Sequence, residues 1–146
     1  MVAGFTEREA AAWGGLLATY ARLDEAIDAD LRERDGLTHV EFEVLLRLWR
    51  APGRRLRIQE LASASILTRS GTSRLVDRLV AAGLLERVAD PADGRASLAA
   101  LTVEGRRRFE RAAPRHVALV REIFLSRLTD EEIDTLGEVW TRLRDG

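Results

Sequence analysis

Hydrophobic positions recur every three or four residues through most of the chain, which is the spacing of an amphipathic helix. The first such stretch covers about residues 6–34, and Gly36 ends it because glycine readily adopts the left-handed conformation found at helix ends. Thr38 then begins a second helix, since Glu41 three residues later completes a capping box. The pattern therefore predicts a long helix and a shorter one before residue 51.

A break at residues 51–53 (Ala-Pro-Gly) separates the second helix from two further ones. The apolar spacing predicts a short helix of about two turns over residues 57–63. Thr68 or Ser70 can cap a longer helix that runs to Ala82. Two such helices joined by a tight connection are typical of a helix-turn-helix motif.

A β-hairpin is predicted directly after these helices. Residues 84–88 alternate between apolar and polar side chains, residues 90–94 have dense turn chemistry, and residues 96–101 can form the partner strand. Because a single short hairpin cannot build a sheet core, we expect it to lie against helices as an appendage. The predicted fold class is therefore mainly α with a small β-hairpin wing, a winged helix-turn-helix.

Two more helices complete the predicted order of elements. Thr102 caps the first of them. Pro114 lies inside that helix and should kink or split it, because proline removes a backbone hydrogen bond and clashes with the preceding turn. Thr129, followed by three acidic residues, is a strong N-cap for the last helix.

The composition indicates a globular protein. The 146 residues are 46% hydrophobic and 32% charged, which is sufficient for one domain with a core. The absence of cysteine excludes disulfides, thiolate metal sites and thiol redox switches. No apolar run approaches the length of a membrane span and no signal-peptide pattern is present, so we expect a cytoplasmic protein.

The net charge of −1 is distributed very unevenly along the chain. Residues 1–46 carry 4 arginines and 10 acidic residues, a net charge of −6. Residues 47–111 carry 14 arginines and 7 acidic residues (+7), and residues 112–146 carry 5 and 7 (−2). A basic centre between acidic ends is typical of a nucleic-acid-reading module on an acidic scaffold.

The second helix of the predicted motif has side chains suited to DNA. Such a helix enters the major groove, where short hydroxyl side chains allow close approach and Arg74 can reach a guanine edge or a phosphate. At the tip of the hairpin Gly94 permits a tight turn, from which Arg95 can enter the narrow minor groove. The candidate DNA-contacting residues are Thr68, Arg69, Ser70, Thr72, Ser73, Arg74, Arg78 and Arg95.

Arg74 and Arg95 could also have purely local roles as surface residues. Arg74 could be a solvated helix residue paired with Asp77. Arg95 could pair with Asp93 or Asp90 in its own turn. Such exposed pairs are common on protein surfaces and contribute little to stability.

The sequence resembles the multiple antibiotic resistance regulator (MarR) family of bacterial transcription factors over nearly the whole chain. The resemblance rests mainly on residues 70–79 (Ser-Gly-Thr-Ser-Arg-Leu-Val-Asp-Arg-Leu), on residues 83–87, and on Asp93-Gly94-Arg95 followed by Leu101-Thr102. Residues 37–45 are also similar to the second helix of the family.

This resemblance implies a homodimer that binds a pseudo-palindromic site on double-stranded DNA. It implies a sequence-specific transcriptional regulator, most often a repressor. Residues 1–146 would form a single MarR-like domain, with the winged helix-turn-helix lobe at about 37–101. The segments at about 5–35 and 102–146 would be N- and C-terminal dimerisation helices.

The resemblance also implies a pocket between these helices and the lobe for a small aromatic or amphipathic effector that releases the repressor. The candidate effector-binding residues are Trp13, Tyr20 and His39. Trp13 and Tyr20 are also compatible with the core or the dimer interface, and His39 with a surface position beside a helix cap.

The sequence contains no recognisable catalytic constellation. It lacks a cysteine nucleophile, a glycine-rich phosphate loop and any His/carboxylate spacing for a metal, so no enzyme activity, cofactor or metal is predicted. The alternative to a DNA-binding regulator is a winged-helix module that binds another protein and has no DNA target.

Overall fold

The computed structural model describes residues 4–63 and 69–146, and for Ser63, Arg69 and Ser70 it describes the backbone alone. The predicted cap Thr68 lies outside the described residues. The chain forms two compact units, a lobe (Asp28–Pro114) and a terminal unit (residues 4–27 and Arg115–Gly146).

The described residues are mainly helical, with one small antiparallel sheet, so the predicted fold class is confirmed. The elements in chain order are α1 (Glu7–Asp35), α2 (His39–Arg50), β1 (Arg55–Arg57), α3 (Ile58–Ser63), α4 (Arg69–Ala81), β2 (Leu85–Ala89), β3 (Ser97–Leu101), α5 (Val103–Ile123) and α6 (Asp130–Asp145). Short 3-10 turns cover Pro52–Arg54 and Leu125–Arg127.

The predicted helix starts are confirmed by hydrogen bonds. The Thr38 hydroxyl accepts from the Glu41 amide at 3.0 Å, and the Glu41 carboxylate accepts from the Thr38 amide at 2.9 Å, which is a complete capping box. Thr129 forms the same arrangement with Glu132 at the start of α6. Thr102 caps α5 by accepting from the Gly105 amide at 3.0 Å. Local sequence chemistry therefore fixes three of the helix boundaries.

The sheet has a strand that the sequence analysis did not predict. Its strand order is β1-β3-β2, with both pairings antiparallel, so β3 is flanked by β1 as well as by its hairpin partner β2. The prediction of an isolated hairpin was therefore incomplete. β1 is only three residues long, so its alternation of Arg55, Leu56 and Arg57 is too short to indicate a strand. It becomes a strand because it pairs with β3, far away in the sequence.

The lobe has its own hydrophobic core, formed by the end of α1 together with α2, α3, α4, α5 and the sheet. Phe42 of α2 and Phe109 of α5 lie with their ring centroids 5.3 Å apart. Gly105 permits close packing of α5, because a Cβ at this position would collide with the carbonyl oxygen of Leu84. The largest fully buried side chains of the lobe are Phe42, Leu31, Leu37, Leu45, Leu48, Leu61, Leu75, Leu79, Leu84, Leu85, Val76 and Thr72.

The helix α5 is not split at Pro114, which lies within its continuous span. Of the two predicted effects of Pro114, the split is therefore wrong, and the kink stays a prediction. Proline removes only one amide donor, and the turns before and after it retain their own backbone hydrogen bonds.

The terminal unit carries most of the large apolar side chains that are exposed in the described residues, whereas Val103 is exposed in the lobe. Those of the terminal unit are Phe5, Trp13, Leu16, Leu17, Tyr20, Val117, Trp140 and Leu143. In the part of the chain that the structure describes, no helix is long and apolar enough to cross a membrane. Residues 4–63 and 69–146 also contain no group of three or more His, Cys, Asp or Glu side chains that could hold a metal ion.

Candidate nucleic-acid interface

The helix α4 has one side in the lobe core and the opposite side exposed. Thr72 lies on the core side and is 1% exposed, together with Leu75, Val76 and Leu79 three, four and seven residues further along. This spacing is that of one helix face. Thr72 therefore does not lie on an exposed, DNA-facing side of α4, where it was expected, because its side chain is buried in the lobe.

The exposed side of α4 carries three of the predicted residues. Arg74 and Arg78 are exposed, and Ser73 is half-buried. Arg69 and Ser70 are the first two residues of the helix. The structure thus places one hydroxyl and two guanidinium groups on the outer side of α4.

Asp77, the predicted surface partner of Arg74, is paired with another residue. Arg87 of β2 donates to the Asp77 carboxylate from Nη2 at 2.8 Å and from Nε at 3.2 Å. The same Nη2 donates to the Ser73 hydroxyl at 3.2 Å. Arg87 therefore connects the wing strand β2 to α4, and neither the role of Arg87 nor the contact was predicted.

A second ion pair holds the base of the wing. Arg57, at the end of β1, donates to Asp90 Oδ2 from Nε at 2.8 Å and from Nη2 at 2.7 Å. Asp90 is only 7% exposed and also accepts from the Ala92 amide at 2.9 Å. The Ala92 hydrogen bond, followed by the Arg57 interaction, lowers the pKa of Asp90 despite its burial. The pairing depends on β1, so the sequence alone could not indicate it.

The wing tip exposes Arg95. The Asp93 carboxylate accepts from the Arg95 backbone amide at 3.1 Å, and the Asp93 carbonyl accepts from the Ala96 amide at 2.9 Å, so Asp93 stabilises the turn itself. Asp90, the other predicted partner, is paired with Arg57. Among the described residues, no ion pair of the Arg95 guanidinium is found.

The helix α4 and the wing both line one cleft of the lobe. Ser73 of α4 and Arg95 of the wing both line this cleft, whose volume is about 440 Å³. The remaining lining residues are Arg57, Ile58, Gln59, Asp93, Ala96 and Ser97. Two predicted DNA-contacting residues that are far apart in the sequence are thus brought together.

The candidate effector residues are distributed over both units. Tyr20 lines an apolar cavity of about 450 Å³ within the terminal unit, together with Leu16, Phe124 and Trp140. Trp13 is exposed on the same helix and is not part of that lining. His39 belongs to the lobe, where its amide donates to Asp28 Oδ1 at 2.8 Å and its Nε2 lies 3.6 Å from Glu43 Oε1.

The arrangement of the lobe defines a class of protein. The helices α3 and α4 follow each other through a short connection, and an antiparallel hairpin with an exposed arginine at its tip follows α4. This arrangement is a winged helix-turn-helix.

Comparisons with known proteins agree with this class. The family model of the MarR family matches residues 35–96. The chain is 32% identical over 112 residues to the HTH-type transcriptional repressor YetL of Bacillus subtilis, an alignment that covers 74% of this chain and 66% of that protein.

Two solved structures from Streptomyces coelicolor are similar along most of the chain. One is Sco3205, a MarR family transcriptional regulator in complex with DNA, which has 36% identity and a TM-score of 0.90 and covers 97% of this chain and 89% of its own. The other is AbsC, a MarR family transcriptional regulator with 31% identity and a TM-score of 0.87, covering 97% and 98%. The chain belongs to the MarR family and is a transcriptional regulator.

Proposed function

We propose that this regulator binds double-stranded DNA sequence-specifically through α4 and the wing. The observation that carries the proposal is the juxtaposition of Ser73 and Arg95 on one cleft, with Arg74 exposed on the same helix. The neighbouring carboxylates Asp77 and Asp90 are held by Arg87 and Arg57, so they do not neutralise Arg74 and Arg95.

The proposed contacts follow from the geometry of B-form DNA. The exposed side of α4 enters the major groove, where Arg74 pairs with a guanine edge or a phosphate and Ser73 contacts a neighbouring base. Arg95 enters the adjacent minor groove, whose negative potential attracts guanidinium groups. Thr68, Arg69, Ser70 and Arg78 remain proposed contacts at the start and flank of the helix, whereas Thr72 is omitted because it is buried.

The proposed protein acts as a homodimer on a pseudo-palindromic operator. The exposed apolar side chains of α1, α5 and α6 that do not line the apolar cavity, among them Leu17, Val117 and Leu143, form a surface that a second copy can cover, which would make residues of about 5–35 and 102–146 dimerisation helices. The similarity to a transcriptional repressor supports repression as the sign of regulation. We assign the protein no catalytic role and place its action in the cytoplasm, beside its operator.

We also propose that a small aromatic or amphipathic effector regulates DNA binding. The apolar cavity lined by Tyr20 supports this proposal, because concave apolar sites of a few hundred cubic ångströms suit small ligands. Trp13 and His39 remain proposed contacts, with less structural support than Tyr20.

Replacing Arg74 tests the DNA-reading role of α4. Arg74→Ala should weaken specific binding by about 1–3 kcal/mol and relax base preference at one position, because one base or phosphate contact is lost. Arg50→Ala is the matched control, since Arg50 is an exposed arginine at the end of α2, outside the proposed interface. Equal affinities of the parent and Arg74→Ala, measured by fluorescence anisotropy, would show that α4 does not read DNA.

A salt titration separates DNA binding from the alternative of a protein-binding winged helix. Phosphate contacts release counterions, so the affinity of the regulator for duplex DNA should fall steeply as salt concentration rises. No duplex binding at low salt would favour the protein-binding alternative.

A further inference from the structure

The contact between Arg87 and Ser73 has a chemical consequence for base recognition. The Arg87 Nη2 lies 3.2 Å from the Ser73 hydroxyl oxygen and 3.4 Å from the Ser73 carbonyl oxygen. A guanidinium group carries only hydrogen-bond donors, so the Ser73 oxygen is the acceptor in this contact. The Asp77 carboxylate holds the guanidinium in place from the next turn of α4.

An accepting hydroxyl still has its own hydrogen to donate. A bond from a charged donor withdraws electron density from the hydroxyl oxygen, and hydrogen bonds in such a chain strengthen one another. The Ser73 hydroxyl is therefore a better donor and a poorer second acceptor than a serine without such a partner. Ser73 also lines the cleft that it shares with Arg95 of the wing.

We propose that Arg87 is a positioning residue that makes Ser73 a hydrogen-bond donor toward DNA and thereby determines base specificity at one position of each half-site. The proposal rests on the proposed DNA-reading role of α4. Arg87 itself does not contact DNA in this proposal, because its guanidinium group is engaged by Asp77 and Ser73.

The base preference follows from the edges exposed in the major groove. Guanine and adenine offer acceptors at N7, guanine also at O6, and thymine at O4, whereas cytosine offers a donor at N4. A serine that mainly donates should tolerate guanine, adenine or thymine on the contacted strand, because each offers an acceptor, and should discriminate against cytosine.

A double-mutant cycle on base preference tests this inference. The operator is first selected from random duplexes by the parent protein, and competition binding then measures the preference at every operator position. Ser73→Ala should reduce discrimination against cytosine at one position per half-site by about three- to tenfold, the loss of one hydrogen bond. Arg87→Met should reduce it at the same position, and the double variant should lose no more than Ser73→Ala alone.

Matched variants separate this role from a purely structural one. Arg87→Lys retains a charged donor and should retain more of the discrimination than Arg87→Met. Thr72→Val, which changes the buried neighbour of Ser73, and Arg106→Met, which changes an exposed arginine of α5, should leave base preference unchanged. If Arg87→Met fails to fold, Arg87→Gln replaces it, since its shorter side chain does not reach Ser73.

The outcomes are distinguishable. Failure of the parent to select any operator would overturn the proposed function and this inference together. Selection of an operator whose base preference Ser73→Ala does not alter would overturn the inference alone. The inference alone would also be overturned if Arg87→Met lowers thermal stability and overall affinity but keeps the discrimination against cytosine. Additive effects of Ser73→Ala and Arg87→Met on that discrimination would overturn it as well.

Discussion

The lobe and the terminal unit both contain helices with apolar side chains at helical spacing but bury those side chains very differently. In the lobe, Leu45 and Leu48 of α2 are 0% exposed. In the terminal unit, Leu17 of α1 is 50% exposed, Trp13 is 54% exposed and Leu143 of α6 is 65% exposed. The difference teaches that hydrophobic periodicity predicts the apolar face of a helix but not what covers that face.

The two units consequently depend on different interactions. The lobe has a core, a sheet and two ion pairs of its own, between Arg57 and Asp90 and between Arg87 and Asp77. The terminal unit leaves several large apolar side chains exposed, among them Trp13, Leu17 and Leu143, and such exposed apolar groups mark interaction surfaces. We therefore expect substitutions in the terminal unit to change dimer assembly, and substitutions in the lobe to change the stability of its fold.

The largest expected effect is on assembly. Leu17→Asp should raise the dimer dissociation constant by about 100-fold or more, because it places a charge in the proposed apolar interface and does so twice in a symmetric dimer. Sedimentation equilibrium measures the change, and Thr135→Asp, an exposed polar position on α6, is the control. A Leu17→Asp variant that remains dimeric at low concentration would contradict the proposed interface.

A smaller effect is expected in the lobe core. Val44→Ala should lower the free energy of unfolding by about 1–3 kcal/mol, since it removes buried methyl groups and leaves a cavity. Val103→Ala makes the same chemical change at a residue that is 62% exposed and should cost less than about 0.5 kcal/mol. Denaturant titration of both variants, each as a dimer, measures the loss in the free energy of unfolding that each substitution causes. Equal losses would show that burial does not decide the stability of the lobe.

The smallest effect is expected from two carboxylates whose pKa values the fold lowers. The amide of His39, followed by Arg32, lowers the pKa of Asp28, and the amide of Ala92, followed by Arg57, lowers that of Asp90. A carboxylate with a lowered pKa in the folded state stabilises the protein fully above its ordinary pKa of 3.8, and that stabilisation is lost as the pH falls through the lower folded value.

Asp90→Asn and Asp28→Asn therefore test the linkage. Each variant should be less stable than the parent near neutral pH, and the difference should shrink as the pH falls below about 4. Thermal unfolding followed from pH 7 to 3 measures this. A difference that stays constant with pH would mean that the carboxylate charges do not contribute.

The sequence predicted the elements that depend on local chemistry. The capping boxes at Thr38 and Thr129 involve residues three positions apart, and the turn at Asp93 involves neighbours, so all three could be recognised from spacing alone. The strand β1 could not be recognised, because it exists only through its pairing with β3. The split predicted at Pro114 does not occur, because the loss of one backbone donor does not end a helix that is continuous on both sides.

The candidate interface was also predicted only in part, because some of its features depend on local sequence and others on contacts between distant segments. The exposed positions of Arg74 and Arg95 follow from the helix period and from the turn. The burial of Thr72 depends on which direction α4 faces in the packed lobe, and the serine at the next position is only half-buried. The partners Arg57 and Arg87 became visible only after the sheet brought distant segments together.

The central claim is that the protein reads DNA as a symmetric dimer through α4 and the wing. The most direct test is selection of bound duplexes from a random pool by the parent protein. We predict an enriched pseudo-palindrome whose half-sites are centred about one helical turn, or a small multiple of it, apart. Enrichment of no motif, or of a single motif without two-fold symmetry, would contradict the account.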